Sequence, residues 1–217
     1  MPTKTHRANR GPSRKKNRGT YWITRKDQLQ TLASAIRLDI ADRLAALGPM
    51  SVKELAASMG KNATPIYHHL QQMGKVGLIR RTSASGTRGR PAAVYEAPGE
   101  PTRLARAPMI ASNRKPMAKI GRIVAGQAGK DYARGFKSKN WQIEGAARNH
   151  WVFRSITQPS PKRLAKINAL FDQLAALIWT PDPSPGRVSM SVAWFLAPLN
   201  GSPLTAAKGK PSARKRR

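Results

Sequence analysis

Thr64, Tyr67, Gln71 and Lys75 follow one another at steps of three and four, with His68 beside Tyr67, so on a helix they share one side. All carry hydrogen-bonding side chains of middling length, and no carboxylate stands among them. Such a face suits base edges and phosphate oxygens in a DNA major groove. Ile66, Leu70, Met73 and Val76 fall on the other side, where a core would take them. Asn62 or Thr64 is placed to cap this helix, and Pro65 lies in its first turn, where a backbone N–H is not needed. His68-His69 invites a metal reading, but neighbours on a helix diverge by about 100° and no carboxylate lies one turn away. No metal and no cofactor are expected.

A second cationic element follows. The β-prone runs Leu78 to Thr82, which includes Arg81, and Ala93 to Glu96 flank a Gly-containing stretch with Arg88 and Arg90. A hairpin there has a cationic tip able to follow a phosphate backbone or enter a minor groove. Arg88-Gly89-Arg90-Pro91 also matches the core of an AT-hook, in which Arg side chains favour narrow A·T tracts. The β-prone flanks favour the hairpin, and both readings bring Arg90 near DNA.

The elements that must hold these residues are legible upstream. Ser51 and Glu54 have the spacing of a capping box and open a helix whose stripe is Val52, Leu55, Ala56 and Met59, with Gly60 ending it. Leu29, Leu32, Ala33, Ile36, Ile40, Leu44 and Leu47 mark a helical face from Thr24 to Leu47, with a break near Ser34. Thr24 and Asp27 have capping spacing, and Gly48-Pro49 stops the run.

In order and spacing these segments resemble the ArsR-type winged helix-turn-helix repressors over about residues 29 to 97. The resemblance is carried by Ala35 to Ile40, Ser51 to Ala56, Thr64 to Leu70, Gly77 to Arg81, Gly89-Arg90-Pro91 and Val94-Tyr95. It implies a homodimer with two recognition helices in adjacent major grooves and wings on flanking DNA. Transferred by position, it makes Thr64, Tyr67, His68 and Gln71 base readers, and Lys75, Arg88 and Arg90 phosphate or minor-groove contacts. Many such repressors sense metals through Cys and His, and this chain contains 0 Cys, which sets metal sensing aside.

The second half offers pattern without chemistry. Residues 98 to 117, rich in Pro and Arg, read as a linker. Residues 118 to 137 suggest a helix interrupted by Gly121, Gly126, Gly129 and Gly135. Trp151 to Thr157 reads as a strand, and Ser160-Pro161 opens a clear helix with a Leu164, Ile167, Phe171, Leu174 and Ile178 seam. Val188 to Leu196 alternates like a half-buried strand, which would pair with the Trp151 run, the wing domain or another subunit. A small α/β unit for dimerisation or small-molecule effector binding is expected.

Composition bounds these readings. Lys and Arg number 40 against 10 Asp and Glu, a formal net charge of +30 on 217 residues, which draws in polyanions. Residues 1 to 26 hold nine cations and 201 to 217 six more, with no acid in either. Between residues 27 and 97 there are nine cations against five acids, so selection rather than bulk charge belongs to that segment. No membrane span, signal sequence or catalytic constellation is visible, and an enzyme is not expected. The expected fold is mainly α with small β: a basic disordered arm (1–24), the winged domain (25–97), the linker (98–117), the α/β unit (118–200) and a basic disordered tail (201–217). The expected role is a cytoplasmic, nucleoid-associated regulator of double-stranded DNA. An architectural DNA binder is the alternative, and an RNA binder ranks lower for want of aromatics on a sheet or a clamp loop.

Overall fold

The fold is described from a computed structural model, which covers residues 19–83, 93–99, 102–180 and 189–199. Arg88 and Arg90, the arm before Gly19 and the tail from 200 onward lie outside those residues. Chain contacts divide the protein at Gln127–Ala128 into two units.

The first unit begins with β1 (Tyr21–Trp22), followed by α1 (Lys26–Leu32) and α2 (Ala35–Leu47). The single helical pattern of the sequence breaks at Ala33–Ser34, where Ser34 is extended (φ −143°, ψ 130°). Thr24 does not cap α1. Arg25 holds the N-cap position without a side-chain cap, and its guanidinium instead grips Asp27 at 3.1 Å.

The capping box forms as expected. After β2 (Met50–Ser51), the Ser51 amide donates to Glu54 Oε2 at 2.7 Å and the Glu54 amide donates to Ser51 Oγ at 3.3 Å, starting α3 (Val52–Met59). These bonds hold the Glu54 carboxyl below its ordinary range. Gly60 then adopts φ 61°, a left-handed turn that a side chain would strain, and α4 (Ala63–Lys75) follows. Leu29, Ile40, Leu55, Ile66, Leu70 and Met73 fill the core between these helices. The last carbonyls of α4 need donors. Val76 O accepts from Arg25 Nη2 at 2.7 Å and from the buried Gln28 at 3.0 Å, and Gly77 O accepts from Tyr21 Oη at 3.0 Å.

β3 (Arg80–Ser83) and β4 (Ala93–Glu96) form the expected antiparallel hairpin, with Arg81 opposite Tyr95 and Thr82 opposite Val94. β2 adds to the other side of β4, giving the order β2-β4-β3.

Two expectations from composition fail at the edges of this unit. Tyr21 to Ile23 belong to the fold rather than to a basic arm: β1 pairs in parallel with β5 (Thr102–Arg103), and Ile23 is buried. The 98–117 stretch is not a loose linker. It holds β5 and two 3-10 turns, Ala107–Met109 and Ala111–Asn113, and Asn113 is buried. Asn113 Nδ2 donates to Thr24 O at 2.7 Å and to Ala107 O at 3.2 Å, a clasp that replaces apolar periodicity as the source of order. The Arg106 guanidinium covers the Trp22 ring at 4.1 Å. Met117, Ile120, Ile123 and Val124 of α5 (Arg114–Gly135) pack on the same core.

In the second unit, the end of α5 and the following loop build a small aromatic cluster. The buried His150 stacks on Tyr132 at 4.3 Å and meets Phe136 edge-on at 4.2 Å. A Cβ at Gly135 would lie 2.7 Å from the His150 ring, so only glycine fits there. Ser160 caps α6 (Pro161–Trp179) by accepting from the Arg163 amide at 3.3 Å. The α/β expectation for this unit is not met among the described residues: neither 151–157 nor 189–199 enters a ladder. Alternation specifies two faces of a strand but not its partner, and no strand among the described residues pairs with either run.

Candidate nucleic-acid interface

Periodicity in α4 does what the sequence predicted. Ile66, Leu70 and Met73 are at most 1% exposed, while Thr64, Tyr67, His68, Gln71 and Lys75 are all exposed. Tyr67 is 57% exposed, far more than packing alone would leave a tyrosine. Asn62 occupies the N-cap with extended backbone (φ −74°, ψ 148°) and makes no side-chain cap, and no acid stands in the first turn. The helix therefore presents a positive dipole end with its amides uncountered by carboxylate.

Between α4 and the hairpin lies an open groove of about 590 Å³. Thr64, Tyr67, His68 and Gln71 line one wall, and Arg81 and Tyr95 line the other. Gly74 and Leu70 complete it, glycine leaving the floor low where a side chain would fill it. All four base-reading candidates thus meet in one concavity, together with Arg81. Asn62 and Lys75 are exposed but stand outside the groove lining, and Arg88 and Arg90 lie outside the described residues. Tyr95 was legible only as a strand residue. Its place opposite Arg81 in the ladder is what turns it toward α4.

A hydrogen-bonded relay behind the groove was not read from the sequence. Arg37 on α2 donates from Nε to Thr31 O and from Nη1 to Gln72 Oε1 at 2.7 Å. Gln72 Nε2 in turn lies 2.9 Å from His68 Nε2. Arginine has donors only, so the Gln72 oxygen faces Arg37 and its amide donates to His68. His68 Nε2 then accepts, which places the proton of the neutral ring on Nδ1. The signal available was the four-residue step from His68 to Gln72, the spacing at which helix side chains meet. Burial, and then the nearby Arg37, lower the pKa of His69, so its half-buried ring favours the neutral state. Among the described residues no three His, Asp or Glu gather as a metal-holding group.

A family model described as a helix-turn-helix domain matches residues 32–82, from the end of α1 to β3. Residues 32–82 therefore carry a helix-turn-helix domain, in which α3 and α4 are the paired helices. No curated protein matches the chain. No helix among the described residues is long and apolar enough to cross a membrane.

Proposed function

We propose that the protein is a sequence-specific regulator of transcription, a repressor of ArsR type that binds double-stranded DNA as a homodimer in the cytoplasm, associated with the nucleoid. The groove carries this reading: an acid-free wall of exposed Thr64, Tyr67, His68 and Gln71 facing Arg81 and Tyr95 across about 590 Å³. With α4 in the major groove, Thr64, Tyr67, His68 and Gln71 meet base edges, while Asn62 and Lys75 fall at the helix ends, where phosphates run. The hairpin lies beside the adjacent backbone, its tip bringing Arg88 and Arg90 to flanking DNA. Residues of the second half serve dimerisation or the binding of a small effector.

An architectural binder of low specificity is the second reading, favoured by the net charge of +30 and by its concentration at both ends of the chain. Selection of bound sequences from a random DNA pool, followed by competition binding, separates the two. A regulator prefers its selected site by about a thousandfold or more over random DNA. Joint replacement of Thr64, Tyr67 and Gln71 by Ala is expected to abolish that preference with the helical circular dichroism unchanged. Undiminished preference in the triple variant would remove the groove from the reading.

A further inference from the structure

Several large apolar side chains of the second unit are exposed. Trp151 is 66% exposed, Phe153 76%, Leu177 77% and Phe195 58%. From Ser189 to Leu199 no residue is charged. That segment is moored by two side chains: Ser191 Oγ donates to Asp131 Oδ2 at 3.0 Å, and Trp194 stacks on Phe171 with centroids 6.2 Å apart. Its main chain makes no backbone hydrogen bond to the described residues. A sequence patterned as a strand is thus held in place by side chains, with no backbone pairing among the described residues.

We propose that a second copy of this chain covers this segment, with residues 190–196 pairing antiparallel with their own equivalents across a twofold axis. The inference rests on the homodimer proposed above and assigns its interface. Native edges that must stay single are guarded by charge, proline or a bulge. Residues 190–196 contain neither charge nor proline, so nothing in them opposes pairing. Antiparallel pairing of a segment with itself is isologous, which closes the assembly at two copies.

Area and charge agree. Aromatic side chains offer about 150–250 Å² each. Phe195 and Leu196, each more than half exposed, lie on the segment itself and bring apolar area to the pairing. DNA is a poor occupant, because the segment carries no cation to neutralise a phosphate. Charge is sparse at this end of α6: Lys162, Arg163 and Lys166 all lie in its first turns, and Asp172 is the only charge from residue 167 to 179, while Arg148 and Arg154 stand beside Trp151 and Phe153.

The absence of native cysteine makes the test direct. Single substitutions from Met190→Cys to Leu196→Cys give one thiol per chain, read by disulfide formation under mild oxidation and by sedimentation of the full chain. Expected are a dimer at micromolar concentration and strong crosslinking near one position, weakening with a two-residue alternation on either side. Val192→Lys, which buries two unpaired charges per dimer, is expected to weaken association at least about a hundredfold. If that variant loses helicity, the uncharged cysteine series decides alone. A monomeric wild type, a dimer forming only on DNA, or a dimer whose cysteines from 190 to 196 stay silent would each overturn the assignment. Loss of operator preference with dimer and crosslinks intact would instead sink the DNA reading and leave the interface standing.

Discussion

At the scale of single residues, the proposed DNA-reading face is set from behind as well as in front. Thr64, Tyr67 and Gln71 face the groove directly, but the state of His68 depends on Gln72, whose amide is oriented by Arg37 on another helix. Replacing Arg37 by Met frees the Gln72 amide to turn. The expected outcome is a mixture of His68 tautomers by ring ¹⁵N shifts, with operator affinity reduced by about 1–2 kcal/mol. Gln72→Met is expected to do the same, and an unchanged Nδ1–H ring in both variants would contradict the relay. Asp42 illustrates a cost rather than a gain. It borders an apolar recess beside Ile23, Leu38 and Leu104, and burial, then the like charge of Asp39, push its carboxyl up to about 6 against the opposing Arg43. A raised carboxyl pKa means the folded state keeps a proton that the unfolded chain releases, so stability falls as pH rises from about 4 through 6. Asp42→Asn is expected to remove that fall. The residue as a whole is exposed, so solvent screening holds the gain at pH 7 to about 1 kcal/mol or less. Thermal melts at pH 4 and pH 7 check this, since equal shifts at both would exclude a titration effect.

At the scale of elements, the helix-turn-helix depends on segments that composition hides. The α3 cap and both faces of α4 were plain in the sequence, because capping boxes and three-to-four periodicity are local and strong signals. β1 and β5 were not. Each has two residues, too few for a period, and their parallel pairing joins positions about eighty residues apart. Asn113 was equally silent, because its contribution is a pair of hydrogen bonds to Thr24 and Ala107 rather than apolar area. The strand pattern in the second half was readable, yet among the described residues no strand pairs with it. The hidden elements have a measurable weight. Removing residues 1–18 is expected to leave the first unit's stability unchanged, whereas removing 1–24 also takes away the buried Ile23 and the Tyr21 bonds to Gln28 and Gly77. Burial of Ile23 alone is worth about 1.5–3 kcal/mol, so denaturant unfolding of the longer deletion should come at least that much earlier. Coincident unfolding of the two deletions would show β1 to be dispensable.

At the scale of the whole molecule, the proposed function assigns affinity and selection to different parts of the chain. Residues 1–18 and 201–217 together carry thirteen cations and no acid. Each phosphate they neutralise steepens the dependence of log affinity on log salt by about 0.9. Deleting both segments is therefore expected to flatten that slope by several units while the preferred DNA sequence stays the same, measured by binding titrations across a salt series. A changed preference would mean the ends read sequence, and an unchanged slope would mean they do not touch DNA.

The β1–β5 pair has a mechanical meaning as well. Tyr21 lies beside Thr102 and Trp22 beside Arg103, with Ile23 N donating to Arg103 O at 2.9 Å. The strands are parallel, so tension applied through residues before β1 and after β5 pulls them past each other lengthwise. Bonds in that arrangement share the load at once instead of parting one after another. A pull on the residues before β1 would thus meet a lap joint before it reached the helices packed behind it.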